Sequence, residues 1–254
     1  MVLSKRVFIP QPERRALGRF CGKTASAACT SLRLNGKKES LMKSKGWAVV
    51  TDFDGTITLK DVGDVLLRHF NAATREEIEN SYAPHVKMEE WMMEYFRPLK
   101  IPRKKIEAYV LDSTRLRGGF TKFNAFCARR RIPLEIASGG VDLYIDCLLK
   151  KWKLRIKSFY GRTRFTKAGI LVKYPCLKGA TLDVFKAARV SRYQRLGYKV
   201  AFCGDGTSDL KAARLADAVF ATKRLRRFCL EEGVKNRRLK NFSDVQKFLT
   251  RQEK

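Results

Sequence analysis

Three short apolar runs, Trp47-Ala48-Val49-Val50, Pro133-Leu134-Glu135-Ile136-Ala137 and Lys199-Val200-Ala201-Phe202-Cys203, lead straight into clusters of small polar residues. Those clusters are Asp52-Phe53-Asp54-Gly55-Thr56, Ser138-Gly139-Gly140 and Gly204-Asp205-Gly206-Thr207-Ser208-Asp209. Helical patterns separate the runs, and strands alternating with helices build a parallel sheet with right-handed crossovers. Ligands of such sheets gather at the carboxyl ends of the strands. The chain is therefore expected to be an α/β protein, a Rossmann-like parallel sheet flanked by helices, with its chemistry where the three clusters converge. Each cluster alone is a common turn; together, at the ends of three strands, they make a site.

Strand side chains alternate with a period of two, so Asp52 and Asp54 are expected to point the same way and share that site. After Thr58 the period changes to three and four. Val62, Val65, Leu66 and Phe70 line one helix, Thr74 and Glu77 form a capping-box pair, and 88–96 and 106–111 continue the pattern. This helical block, 59–114, reads as a cap inserted into a core domain made of 46–58 and 115–250. Within that core, helices are expected to Arg130 from Gly118-Gly119, over 141–152 and over 180–196. A short strand follows at 218–221, and the stretch to Tyr174 reads as irregular or hairpin.

The chain has 254 residues and 44% hydrophobic content, enough for one good core. No run approaches the roughly 18 apolar residues of a membrane span, and no apolar block of a secretory signal opens the chain. The seven cysteines are scattered without a Cys-x-x-Cys pair, which suits reduced thiols. A soluble, cytoplasmic protein is expected. Residues 1–41 mix Arg, Ser, Ala, Pro and Gly without periodicity, so 1–45 is read as a disordered extension. Met42 is a candidate natural start, and an organellar leader is the alternative.

The formal charge is +29; nine Lys/Arg against two Glu put +7 in residues 1–41 and leave +22 for the rest. Between 150 and 199, fifteen Lys/Arg face one acid, Asp183. Such a field attracts phosphates and nucleic acid. A solvated basic face is favoured over a nucleic-acid surface, because no RNP pattern, helix-turn-helix signature or finger spacing is present.

The stretch Asp52-Phe53-Asp54-Gly55-Thr56-Ile57-Thr58 resembles the signature of the haloacid dehalogenase superfamily, and the likeness extends over residues 46 to about 250. The helical block after the first strand resembles the subclass capped at that point, which includes phosphoserine phosphatases. Arg117-Gly118-Gly119-Phe120 and Ile132-Pro133 through Ser138-Gly139-Gly140-Val141-Asp142 look like segments of the methionine-salvage phosphatases that act on 2-hydroxy-3-keto-5-methylthiopentenyl-1-phosphate. The resemblance implies a Mg²⁺-dependent phosphomonoester hydrolase working on a small phosphorylated metabolite through an aspartyl-phosphate. Asp52 would be the nucleophile and Asp54 the acid and base. Asp52, Asp205 and the Asp54 backbone carbonyl would hold the metal. Ser138, Gly139 and Lys178 would bind the phosphoryl oxygens, while Asp209 would orient Lys178 or a metal-bound water. Nine residues after the nucleophile, where phosphoserine phosphatases resemble one another in holding Glu near the substrate amine, stands Asp61, a candidate substrate contact. That departure leans towards the salvage type, with a phosphoserine phosphatase-like enzyme as the alternative.

Other chemistries fail on spacing. No cysteine has Arg six residues on, as a cysteine phosphatase needs, and Gly18-Arg19-Phe20-Cys21-Gly22-Lys23-Thr24 is one residue short of a P-loop. His69 and His85 lie in the helical block and are read as structural. A second class stays open: a basic nucleic-acid-binding protein on the same scaffold, against which the cap argues, since a closing lid selects small esters.

Overall fold

Every residue of β1 (Trp47–Thr51) is buried, so this strand needs cover on both faces. Trp47 and Val49 enter one apolar cluster and Ala48 and Val50 another. The strand accordingly lies inside the sheet, parallel to β2 (Leu134–Val141) on one side and to β5 (Lys199–Gly204) on the other. Outward from β2 come β3 (Lys157–Thr166) and β4 (Gly169–Lys173); outward from β5 come β6 (Ala218–Ala221) and the two-residue β7 (Arg237–Arg238). The order is β4-β3-β2-β1-β5-β6-β7. It is the expected α/β architecture with one antiparallel member, since the stretch read as irregular or hairpin is the hairpin of β3 and β4. This computed structural model describes residues 45–252, so the expected extension over 1–45 lies, apart from Lys45, outside the described residues.

Four helices occupy the insertion: α1 (Val62–His69), α2 (Arg75–Ser81), α3 (Met88–Phe96) and α4 (Arg103–Ser113). The capping box on α2 forms as expected. Thr74 Oγ1 accepts from the Glu77 amide at 3.2 Å, and the Thr74 amide donates to Glu77 Oε2 at 2.7 Å. Then come α5 (Phe120–Arg129), α6 (Asp142–Lys151), α7 (Leu182–Arg195), α8 (Leu210–Leu215), α9 (Lys223–Glu231) and α10 (Phe242–Gln252). The sequence reading stops at Ala221 and misses α9, β7 and α10. In α9 only Leu225 and Cys229 are buried, too sparse a stripe to stand out among its charges.

α5 and α10 cover one face of the sheet through Phe120, Phe123 and Phe242, whose rings meet at 4.6 to 6.4 Å. Truncating any of them would cost about 3 to 5 kcal/mol. The other face carries α7, α8 and α9. From β1 the chain steps outward through β2 and β3, then returns to the opposite side of β1 as β5. That reversal opens a crevice beyond the end of β1, at Asp52.

Candidate active site

Asp52 directly follows β1 and shares the parity of Ala48 and Val50, whose face is covered by α7. The buried stripe of α7 is Leu182, Lys186, Val190 and Tyr193, a lysine in an apolar row. Lys186 is 1% exposed, and its ammonium lies 3.0 Å from Asp52 Oδ1 and 2.7 Å from Asp209 Oδ1. Burial alone would lower its pKa, but Asp209 and Asp52 more than offset this and hold it protonated. The expected lysine, Lys178, is exposed on the surface in a left-handed backbone conformation, and no contact joins it to the cluster. Lys186 is the lysine that stands beside Asp52 and Asp209. Proximity to the helix start pointed to Lys178, whereas the signal was a cation at i+4 from Leu182 and i−4 from Val190.

Asp209 closes the 3-10 turn Thr207–Asp209 after β5. Its Oδ2 accepts the amides of Asp205 and Gly206 at 2.9 and 3.0 Å, while Oδ1 faces Lys186. With both oxygens engaged, it orients Lys186 and shapes the loop. Carboxylate oxygens of Asp52, Asp205 and Asp209 lie within 4.8 Å of one another. Among the described residues, Asp52 and Asp205 each keep one oxygen without a partner, the other being held by Lys186 and, at 2.9 Å, by Lys223. The backbone agrees. The carbonyls of Phe53, Gly55 and Thr56 all accept hydrogen bonds, while that of Asp54 accepts none among the described residues. Two free carboxylate oxygens and one free carbonyl are hard donors that suit Mg²⁺.

The loop bearing Asp54 is clamped from outside. Buried Arg117 donates to the carbonyls of Thr56 and Gly55, each at 2.6 Å. Gly55 sits at φ 64°, and a Cβ there would collide with the Asp205 carboxylate. Asp54 accepts from the Tyr144 hydroxyl at 2.8 Å and from the Val62 amide at 3.1 Å. Burial, then the charges of Asp61 and Asp52, push its pKa well above the usual carboxylate range. Burial likewise raises Asp52, with Lys186 opposing and Asp209 and Asp205 adding. Asp205 is pushed up to about 6 by burial, against the pull of Lys223.

Ser138 is buried within β2, where the register with β3 shifts between Ala137 and Val141, and its Oγ accepts the Gly140 amide at 2.9 Å. Gly139 and Gly140 line the cavity, and a Cβ on Gly140 would strike the Tyr144 hydroxyl and Asp54. Asp61 caps α1, accepting the Asp64 amide at 2.9 Å, and faces the same cavity. Tyr82 donates to Asp64 at 2.6 Å and reaches Asp61 at 3.2 Å. Burial and Asp61 push Asp64 up to about 8. The insertion completes the roof with Met88, Trp91 and Met92. Of the residues that sequence reasoning named, Asp52, Asp54, Asp61, Gly139 and Asp205 line this cavity, and Ser138 and Asp209 are buried against Gly140 and Gly206, which line it too; it missed Lys186, Tyr144, Arg117, Asp64 and Tyr82.

A haloacid dehalogenase-like hydrolase model matches residues 49–214. The chain belongs to that family. It is 30% identical over 217 residues to a 2-hydroxy-3-keto-5-methylthiopentenyl-1-phosphate phosphatase of Geobacillus kaustophilus, a match covering 83% of this chain and 98% of that one. It is 28% identical to the bifunctional enzyme MtnB/MtnX of Bacillus licheniformis over 79% of its own length, but spans only about half, 48%, of that longer protein. In three dimensions it resembles a substrate-bound phosphoserine phosphatase, with a TM-score of 0.65, 16% identity and coverage of 81% of this chain and 99% of that one. A second phosphoserine phosphatase, solved as a phospho-aspartyl intermediate analogue, gives 0.63 at 19% identity, covering 81% and 99%. No helix among the described residues is long and apolar enough to cross a membrane.

Proposed function

We propose that this hydrolase is a Mg²⁺-dependent phosphomonoesterase acting on a small phosphorylated metabolite with an uncharged, thioether-bearing tail, the substrate class of the methionine-salvage phosphatases. The observation that carries the chemistry is the Asp52 carboxylate, one oxygen tied to Lys186 and the other free beside Asp205 and the Asp54 carbonyl. An Asp52 carboxylate oxygen attacks phosphorus in line, and the ester P–O bond breaks. Asp54, kept protonated by burial, gives its proton to the leaving oxygen. It then takes one from a water that attacks the aspartyl-phosphate, releasing phosphate and restoring Asp52. Lys186 and donors at Ser138 and Gly139 hold the equatorial oxygens. Asp52, Asp205 and the Asp54 carbonyl would hold Mg²⁺, which would supply the positive charge that lets a carboxylate approach a phosphate. A phospho-aspartyl analogue in a protein of this fold supports the covalent route.

The insertion over 59–114 acts as the cap. The free volume at the site is only about 40 Å³, so the cap opens to admit substrate and closes to exclude water. The substrate class rests on the wall of the cavity. Lys186 is the one cation lining it among the described residues, and its charge is already shared by Asp52 and Asp209. A substrate carboxylate, such as that of phosphoserine, would face the Asp61 carboxylate with no further lining cation to pair with it among the described residues. An enol or hydroxyl donates to Asp61, and a methylthio tail meets Met88, Trp91 and Met92. The names of the relatives support the same class. A phosphate-release panel with 2-hydroxy-3-keto-5-methylthiopentenyl-1-phosphate and phosphoserine, in Mg²⁺ and in EDTA, tests the reading. We expect kcat/KM to favour the enol-phosphate about 100-fold, with activity lost in EDTA; equal or better turnover of phosphoserine overturns the substrate class.

A further inference from the structure

The opposite end of the sheet carries charge of the other sign. Around the amino ends of β1 and β5, a cleft of about 410 Å³ is lined by Lys45, Arg130, Arg131 and Lys199. A second, of about 350 Å³, is lined by Arg237, Arg238, Lys247 and Arg251 with one acid, Asp244. The two meet at Gln252, which lines both. All eight cations are exposed. Arg130 aside, none has a carboxylate partner among the described residues. Asp244 pairs with no cation and instead accepts the Asn241 amide at 3.5 Å.

The cleft beside the active site shows the contrast. There the cations are neutralised: Lys87 by Glu90 at 2.8 Å, Lys211 by Asp183 at 2.8 Å and Arg214 by Glu232 at 2.6 Å. Charge on an edge strand guards against sheet-to-sheet pairing, and that accounts for Arg237 and Arg238 on β7. It does not account for cations from the turn after α5, from β5 and from α10 converging on the same concave surface. A second copy of the chain carries the same net sign, +29, which opposes its docking here. A membrane surface would call for apolar side chains at the rim, yet the exposed large apolar residues, Leu59, Val184, Leu196, Leu215 and Leu230, line neither cleft. The aromatic rings at the clefts are already engaged: Arg237 covers the Phe248 ring at 4.4 Å, Trp47 is buried and Tyr198 packs edge-on against Tyr193 at 6.1 Å.

We propose that this groove binds the phosphodiester backbone of nucleic acid, without base readout and independently of the phosphatase site. The full-length protein is titrated into a labelled 20-base-pair DNA duplex and a single-stranded RNA of equal length, over a salt series, by fluorescence anisotropy. Binding in the micromolar range at low salt is expected, with a log–log salt slope of about −0.9 for each phosphate contacted. Two triple variants separate the groove from bulk charge. Arg237→Glu/Arg238→Glu/Arg251→Glu reverses groove cations, and Arg164→Glu/Lys167→Glu/Lys173→Glu reverses as many exposed cations on the β3–β4 hairpin. The groove variant is expected to lose tenfold or more in affinity and flatten the slope by about two units, while the hairpin variant loses less than threefold. Melting curves and phosphate release show that both remain folded. No binding at low salt, equal losses in the two variants, or equally tight binding of poly-glutamate would each overturn the proposal.

Discussion

Floor and roof of the same cavity are built on different principles. On the floor, Asp52, Asp205, Asp209 and Lys186 stand at strand ends or on a helix packed against them, and each ionised group has a partner within 3.0 Å. The roof, Asp64, Tyr82, Met88, Trp91 and Met92, hangs on helices and loops of the insertion. It joins the α9 side of the core through Arg224, which pairs with Glu79 at 2.7 Å and lies 3.7 Å over the Tyr82 ring. A rigid polar floor suits chemistry common to every phosphomonoester, and a less anchored apolar roof suits selection and opening. Floor changes should therefore remove turnover whatever the substrate, and roof changes should discriminate between substrates.

The sharpest break is Asp52→Asn. Steady-state kinetics should show kcat down about 10⁴-fold with KM little changed, for every ester tried; substantial turnover would remove Asp52 as nucleophile. Lys186→Met comes next. Leaving Asp52 and Asp209 buried without their cation should cost about 3 to 5 kcal/mol in urea denaturation, whereas Lys178→Ala should cost under about 0.5 kcal/mol. If the two cost the same, the floor has been wrongly drawn.

Met92→Ala tests the roof. It should raise KM about tenfold for the thioether-tailed substrate and leave a tail-less ester such as methyl phosphate unaffected; a uniform fall in kcat would erase the distinction. The pH dependence of stability joins floor and roof. Asp205 and Asp64 have pKa values raised to about 6 and about 8, so the folded protein holds protons that the unfolded chain releases near pH 4. Stability in EDTA should fall as pH rises from about 4 through 8, and Mg²⁺ should raise Tm more at pH 8 than at pH 5. A metal-free Tm that climbs over that range would contradict the burial of these carboxylates. The smallest effect belongs to Arg224→Ala. The half-exposed link to Glu79 and the ring of Tyr82 is worth about 1 kcal/mol, so KM should rise a few fold, more at low salt than at high salt.

Legibility followed the same division. The floor's acids were readable because strands end abruptly and their polar clusters sit next to them in the chain: Asp52 and Asp54 after β1, Asp205 and Asp209 after β5. Lys186 was readable in principle, as a cation in the apolar stripe of α7, but adjacency to a helix start pointed to Lys178 eight residues earlier. Tyr144 and Arg117 gave no local sign. One reaches Asp54 from ninety residues away and the other grips Gly55 and Thr56 from about sixty. The charge was legible as a total, and its distribution between the clefts was not.

Hydrophobic period and turn chemistry along the chain are local properties, and they were enough to determine a layered α/β fold, the helical insertion and the strand ends where the acids gather. Which cation neutralises Asp52, which tyrosine orients Asp54, what closes over them and where eight cations converge are relations between segments distant in the chain. Only packing decides those, because a side chain's neighbours across a sheet are set by strand order and register, and these leave little trace in any short stretch of sequence.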